Sequence, residues 1–447
     1  MKWFKRLILL LLVLVIAVAI IPLFISLDDY RPEIEKKASE ALKTPVRLKS
    51  LKLVGLPLPH LTVSGIEVGK GGEIKVGSVT VTPDLRSLLS DVRVISSVNI
   101  DGLAVNQSGI NRLAALAQPD SGKKGGAPAV RVRSVRLTNA VLQLQKAGFG
   151  PFDARISLGD SGAPENAEVI TRDGKLKLLV KPAGKRFNLD LQAKNWRPPA
   201  GPPLLFDELT VKGVATTADA NLSDIRAKMY GGTVAGKTTV GWGKGLQLKG
   251  NYAVNGIELR DLVPLFSPET KLTGRLTAKP VFSANAPSAD QIKNALKLDT
   301  PFDIRDGVLH GIDIQKAATS LITKDSSGQT RFETLSGHFA MERGTQRITD
   351  LKVASGSLAA DGNVTIAPNK VLSGRINAQV KAGSIAAASV PLNISGTVDN
   401  PRALPTGATV TGAAVGTAIL GPGVGTSVGA KIGGWADSLF GGGDKKK

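Results

Sequence analysis

From Pro45 onward this chain alternates apolar and polar residues with a period of two, and that alternation limits its fold more than any other feature. It is clearest in Val46-Arg-Leu-Lys49, Ile74-Lys-Val76, Val130-Arg-Val-Arg133, Val141-Leu-Gln-Leu-Gln145, Lys175-Leu-Lys-Leu178 and Phe187-Asn-Leu-Asp-Leu191. It returns in Asn363-Val-Thr-Ile366 and Arg375-Ile-Asn-Ala-Gln-Val380. Successive side chains of an extended strand point to opposite faces, and Gly, Asn, Asp and Pro between the runs turn the chain back. The pattern therefore predicts antiparallel strands, each with one apolar and one wet face. A compact sandwich of 447 residues would collect more large aromatics than the 4% present here. Faces built of Val, Leu and Ile with Ala and Gly suit a long curved sheet with an aliphatic inner surface. Periodicity alone leaves both architectures standing.

Helical spacing interrupts the alternation in a few places. Arg31–Lys43 reads as one amphipathic helix, with Pro32 at its start, Glu33 and Glu35 in the first turn, and Ile34, Ala38, Ala41 and Leu42 recurring on one face. Shorter helical pieces are expected at Asp84–Leu89, Asn111–Ala117, Leu259–Phe266, Gln291–Leu296 and Ile314–Ile322. Residues 117–129 (AQPDSGKKGGAPA) have the composition of a flexible linker and are the best boundary candidate.

The N-terminus sets the compartment. Leu7–Leu27 is 21 residues without a charge, preceded by Lys2, Lys5 and Arg6 and followed by Asp28 and Asp29. At about 1.5 Å per residue that run covers a bilayer core of roughly 30 Å. It is longer than a signal-peptide core and lacks a small-residue cleavage pattern, so it reads as an uncleaved anchor. The positive-inside rule leaves the N-terminus in the cytoplasm and exports the rest. The net charge of +20 first points to an anionic partner, nucleic acid or membrane. Export, together with few aromatic stacking platforms, excludes nucleic acid.

Composition removes most chemistry. With no Cys there are no disulfides, thiolate metal sites or Cys nucleophiles, and only His60, His310 and His338 are available as imidazole ligands. No nucleophile elbow or paired-carboxylate pattern stands out, so no enzyme activity and no cofactor are expected. Gly231-Gly-Thr-Val-Ala-Gly-Lys237-Thr238 satisfies the phosphate-loop spacing literally. Such a loop needs a helix after it, and Thr239–Gly245 is β-branched and glycine-rich. The stretch is expected to be strand–turn–strand, without nucleotide.

The C-terminal end differs. Ala403–Ala430 is 28 residues without a charge, and small residues recur four apart at Gly412 and Gly416 and at Gly421, Gly425, Gly429 and Gly433. That glycine face fits either a membrane-inserting hairpin, bounded by Trp435 and Phe440 before the basic end, or a low-complexity tail.

At this point the chain resembles the AsmA family of Gram-negative envelope proteins. The resemblance rests on the anchor, Asp29-Tyr-Arg-Pro-Glu-Ile-Glu35, Thr44-Pro-Val-Arg-Leu48 and Glu73–Val81. Further on it rests on Met229-Tyr-Gly-Gly-Thr-Val-Ala-Gly236, Pro301–Ile314, Phe332–Phe339 and Pro391–Pro401, while residues 120–220 match by pattern only. It implies a mainly β fold: an N-terminal transmembrane helix, then a long, curved, mostly antiparallel sheet forming an elongated apolar groove, with short helices. The implied organisation is an anchor at 1–27, an N-terminal region at 28–120, a linker and middle β region at 121–220, a C-terminal β region at 221–402 and the tail at 403–447. At about 14 residues per strand and turn this makes about 25 strands, and at about 4.8 Å per strand a groove of roughly 120 Å. That length falls short of the periplasm, which leaves it to reach the wall layer, to hand on its load, or to gain length from the tail.

The implied function is passive transport of phospholipid between inner and outer membranes. The implied placement is a single-pass inner-membrane protein with its bulk in the periplasm and a partner in or near the outer membrane. The groove would be lined by Leu176, Leu178, Val180, Leu189 and Leu191 in the middle region and by Val364, Ile366, Ile376 and Val380 in the C-terminal region. The alternative is a non-catalytic periplasmic scaffold for outer-membrane protein or lipopolysaccharide assembly. The basic tip contributes +3, residues 28–43 contribute −1 and residues 431–447 contribute +2, leaving +16 of the +20 on residues 44–430, a surface suited to anionic headgroups.

Overall fold

A computed structural model describes residues 27–55, 58–90, 92–116, 130–143, 148–199, 201–243, 245–319, 327–380 and 389–406. The protein is mainly β with a few short helices, and it divides into two compact units between Gly201 and Pro202. The tip, most of the run Leu7–Leu27 and the tail glycines lie outside the described residues. Among the described residues no helix is long and apolar enough to cross a membrane.

Unit 1 opens with α1 (Arg31–Leu42), close to the expected bounds, and its C-cap Lys43 sits in the left-handed region at φ 50°. Twelve strands follow: β1 (Val46–Arg47), β2 (Ser50–Val54), β3 (His60–Val68), β4 (Ile74–Pro83), β5 (Arg93–Asp101), β6 (Ala104–Asn106), β7 (Val130–Val132), β8 (Ser134–Gln143), β9 (Gly148–Leu158), β10 (Pro164–Thr171), β11 (Leu176–Ala183) and β12 (Arg186–Trp196). From β2 to β5 and from β8 to β12 neighbours in sequence pair antiparallel, as alternation and tight turns dictate, while β1 pairs antiparallel with β3 and β6 with β4. The exception is parallel: β7 and β8 lie beside β5, and β8 also beside β6. A parallel pair needs a crossover of a dozen residues or more. Residues 107–129 provide it, with α2 (Gln107–Leu116) as its helical part, capped where Asn106 Oδ1 accepts the Gly109 N–H at 2.9 Å. The linker-like segment 117–129 thus lies within unit 1, between strands that one sheet joins.

The helix α1 is held to this sheet by its apolar face and by two polar contacts. Ile34, Ala38 and Leu42 pack against a cluster containing Val46, Leu48, Leu51, Val68, Ile74 and Val105. Glu35 Oε1 accepts the Leu48 N–H at 2.7 Å, and Ser39 Oγ accepts the Val46 N–H at 2.9 Å. These bonds satisfy donors at the start of β1 and just past its end that would otherwise face a helix.

Unit 2 is an antiparallel meander of β13 (Phe206–Ala215), β14 (Asp219–Met229), β15 (Gly232–Gly241), β16 (Leu246–Glu258), β17 (Arg275–Ala278), β18 (Val281–Ala286), β19 (Lys297–His310), β20 (Gln329–Glu342), β21 (Thr345–Ala354), β22 (Leu358–Ile366), β23 (Leu372–Val380), β24 (Ser389–Thr397) and β25 (Asn400–Pro405). Short helices α3 (Leu259–Leu262), α4 (Ile292–Ala295) and α5 (Ile314–Thr319) appear where helical spacing breaks the alternation. In β14 burial alternates on either side of an irregularity between Leu222 and Ile225: Ala220, Ile225, Ala227 and Met229 are buried while Asp219, Asn221, Arg226 and Lys228 are exposed. The β14–β15 turn is Tyr230-Gly231, with φ of 45° and 74°. Two successive left-handed residues make the tight hairpin whose twist suits the strands, and glycine adopts the second without strain.

The core of unit 2 lies under α5. Ile314, Ala317 and Ala318 of that helix are buried with Ile304, Phe332, Leu335, Val353, Leu358, Ala360, Ile376, Ala378, Leu392, Ile394 and Ala403. Farther along the sheet Tyr252 stacks on Phe282 with ring centroids 5.7 Å apart, and its hydroxyl meets that of Thr238 at 2.6 Å. Thr238 is 7% exposed. Tyr252→Phe therefore leaves a buried hydroxyl without this partner, and unit 2 is expected to lose about 1 kcal/mol, read as a small fall in its melting temperature. Melting unchanged by the substitution would show that the pair contributes nothing.

Candidate functional site: an aliphatic sheet face

The apolar positions of unit 1 line up across strands. In the hydrogen-bonded register one row runs Leu53, Leu61, Val81, Val98, Val135, Ile156, Ala167, Val180, Leu189, from β2 to β12. Two residues along, a second row runs Leu51, Val63, Val79, Ile100, Leu137, Ala154, Val169, Leu178, Leu191. Paired residues point to the same side, so both rows share one face, and the parallel join at β5–β8 does not break them. At about 4.8 Å per strand they extend roughly 40 Å. Every side chain in them is aliphatic.

Burial along this face is graded. Toward one end of the strands Ala140, Phe152, Leu176 and Ala193 are buried, Leu176 at 3% exposure. In the first row every residue is only half-buried, and in the second the same holds except at Leu51 and Ala154. A soluble domain ordinarily covers such a surface, and large contiguous apolar patches left open mark binding sites.

The opposite face is polar in the same register. Lys52, Thr62, Thr80, Asn99, Arg136, Arg155 and Glu168 follow one another, then Leu179 and Asp190. Lys177 Nζ lies 2.6 Å from Glu168 Oε1, and Arg155 Nη1 lies 3.9 Å from Glu168 Oε2. The hydrogen bond from Lys177 is the main reason that Glu168 ionises below the usual carboxylate range. Charge is thus kept to one side of the sheet.

Of the expected lining residues, Leu178 and Leu191 are cross-strand partners, as are Val180 and Leu189, and all four are half-buried on the open face. Leu176 shares that face but lies at its covered end. In unit 2, Val364 and Ile366 stand half-buried beside Ile348 and Leu372. Val380 packs against the core, and Ile376, at 2% exposure, is inside it under α5. The sequence reading missed Leu61, Val79, Val81, Val98, Ile100, Val135, Leu137, Ile156 and Val169. Their signal was present as alternation, but nothing local tells which alternating runs share a face.

The polar motifs hold no comparable site. Gly232–Gly241 is strand β15, so Lys237 and Thr238 lie on opposite faces of a strand, Lys237 exposed and Thr238 buried against Tyr252. A side chain at Gly236 would collide with Asn251 O and the Tyr252 ring, which accounts for that glycine. His60 Nδ1 meets Leu58 O at 2.8 Å, and His338 Nε2 meets Asp299 Oδ2 at 2.9 Å, a cross-strand pair invisible in sequence spacing. Among the described residues no group of three or more His, Asp or Glu is placed to hold a metal ion.

Comparison with protein families finds a match to the AsmA family over residues 143–351. The match includes much of the middle segment that the sequence resemblance reached by pattern only. It supports an envelope-related function. Comparison with curated proteins and with solved structures finds no match for the chain.

Proposed function

We propose, for a chain whose residues 143–351 belong to the AsmA family, that it carries phospholipid acyl chains along the open aliphatic face of its sheet and so assists passive lipid transport between the membranes of the envelope. The observation that carries this reading is the pair of unbroken aliphatic rows from β2 to β12, half-buried except at Leu51 and Ala154. On this reading the run Leu7–Leu27 anchors the chain in the inner membrane with its N-terminus in the cytoplasm, and the sheet lies in the periplasm.

The energetics need no catalyst. An acyl chain of about 16 carbons exposed to water would lose on the order of 12 kcal/mol, at about 0.8 kcal/mol per CH₂. Against an aliphatic face most of that loss is avoided, so exchange from a bilayer is close to neutral. The rows contain only Val, Leu, Ile and Ala, without charge or hydrogen-bonding side chains, so successive positions hold the chain about equally. Sliding then meets no deep well and no high barrier. Headgroups stay in water and need no fixed partner.

The test is photo-crosslinking in cells carrying radiolabelled phospholipid. A photoreactive residue at Val98 or Leu178 is expected to yield lipid adducts. The same residue at Thr80 or Arg136, on the polar face, is expected to yield few. Equal yields from both faces, or adducts from neither, would remove the lipid-carrying reading and leave the scaffold role.

A further inference from the structure

We propose that Leu259–Thr273 is a strap across the apolar face of unit 2, held shut by the ion pair of Glu269 with Lys370, and that its release admits an acyl chain to that face. The choice of ligand rests on the lipid-carrying reading above, while the strap rests on the geometry of unit 2. Its sequence is Leu259-Arg-Asp-Leu-Val-Pro-Leu-Phe-Ser-Pro-Glu-Thr-Lys-Leu-Thr273. Pro264 and Pro268 have no N–H to give a ladder, so the chain leaves the sheet after β16. It forms α3 and a 3₁₀ turn at Val263–Leu265 instead.

The two ends of the strap are tied to the sheet and its body is not. At the base the Leu259 N–H donates to Gly274 O, the Thr273 N–H to Val308 O and the His310 N–H to Lys271 O, each at 3.0 Å. In the body the N–H groups of Phe266, Ser267 and Thr270 donate to Val263 O and Ser267 O, within the strap itself. Two things hold the body down. Leu262 and Val263 pack on the core that contains Ile304, Leu335 and Val353, which places the strap on the apolar face. Lys370 Nζ lies 2.6 Å from Glu269 Oε1, and Lys370 belongs to the turn between β22 and β23. The strap therefore reaches from β17 past β19, β20 and β21. Both charged groups are exposed, and such a pair is weak and screened by salt, as suits a latch rather than a permanent core.

The face beside the strap is apolar and half-buried. Phe339, Ile348 and Val364 are cross-strand neighbours there, and Ile366 and Leu372 are another such pair. Leu351, Val364 and Leu372 pack on the same core as Leu262 and Val263, so the strap occupies apolar surface that an acyl chain would otherwise cover. A ligand shifts such an equilibrium only by binding one state better. In water, lifting the strap exposes Leu262 and Val263, which keeps it closed. An acyl chain offers the uncovered face equal apolar contact and so favours the open state. Phe266, 63% exposed in the closed strap, loses no packing on release. The helix α5 is fixed differently: the Ile314 N–H donates to the buried Thr330 Oγ1, which donates to Ile312 O. The strap is thus the movable part of the cover and α5 the fixed part.

The chain has no Cys, so Leu262→Cys in the full chain reports on the strap without background. Its alkylation rate is expected to rise about two- to five-fold when Glu269→Lys sets like charges at the latch. It should return to the starting rate in Glu269→Lys/Lys370→Glu, where the pair is restored in reverse. An unchanged rate in Glu269→Lys would overturn the proposal. So would a rise that the second exchange does not reverse, since that marks lost packing rather than a latch. For the ligand, a photoreactive residue at Val364 is expected to yield several-fold more phospholipid adducts in Glu269→Lys than in the parent chain. Release of the strap without added adducts at Val364, while Leu178 in unit 1 still yields them, would overturn the proposal and leave the lipid-carrying reading standing. Adducts at neither position would remove both.

Discussion

A glutamate at Leu178 is expected to stop lipid passing along unit 1 while leaving the sheet folded. Leu178 lies in the second aliphatic row between Val169 and Leu191, half-buried and open to solvent on its free side. Losing the cross-strand contacts costs about 0.2–1 kcal/mol each, and the carboxylate can reach water, so unit 1 keeps its structure. An acyl chain sliding past must instead desolvate that carboxylate. The charge penalty in an apolar helix environment, about 2.5–3.5 kcal/mol, sets the scale. At about 1.4 kcal/mol per factor of ten, transfer of a fluorescent phospholipid should fall roughly a hundredfold. Leu178→Met should transfer like the parent chain, and so should Lys177→Glu on the opposite face. Folding is checked by thermal melting followed by circular dichroism. A Leu178→Glu chain that melts and transfers normally would mean that this face is not the path.

Much of the fold was legible because its signals are local. The helix expected at Arg31–Lys43 is present at Arg31–Leu42 because Pro32, the first-turn acid Glu33 and the spacing of Ile34, Ala38 and Leu42 all act within one element. The piece expected at Asp84–Leu89 is a 3₁₀ turn at Leu85–Leu89 whose cap, Asp84, accepts the Arg86 N–H through its side chain. The piece expected at Ile314–Ile322 contains α5. The parallel join at β5–β8 was not legible. Alternation is the same in parallel and antiparallel strands, and only the return of the chain through residues 107–129 decides the direction.

The site was half-legible for a related reason. Leu178 in Lys175-Leu-Lys-Leu178 and Ile376 in Arg375-Ile-Asn-Ala378 are alike in pattern, each an aliphatic residue of an alternating run that follows a basic one. What separates them is α5, which is distant in sequence from β11 and β23 alike. It packs on β20, β23, β24 and β25 and closes the face there, whereas the rows through Leu178 remain half-exposed. The same alternating code thus yields an open face in one unit and a closed core in the other.

Ile376 is accordingly expected to behave as a stability position. At 2% exposure, packed among Leu358, Ala378, Leu392 and the residues of α5, it has no route to solvent. Ile376→Ala removes buried methyl groups and leaves a cavity, at a cost of about 2–5 kcal/mol. For a unit of this size each kcal/mol lowers the melting temperature by about 2–4 °C, so a fall on the order of 10 °C is expected. Ile376→Glu adds a buried charge without a partner and should unfold the β20–β25 region outright, seen as rapid hydrogen exchange there while β2–β12 stay protected. Val364→Ala, on the half-exposed part of the same face, should cost much less. An Ile376→Ala chain that melts within a degree or two of the parent would show that α5 does not close this face. The contrast also governs how loss of transport is interpreted. A charge at Ile376 abolishes any function by unfolding its unit, so that loss is silent about the lipid path. Only a charge on the open rows, where the sheet survives it, separates carrying lipid from merely being folded.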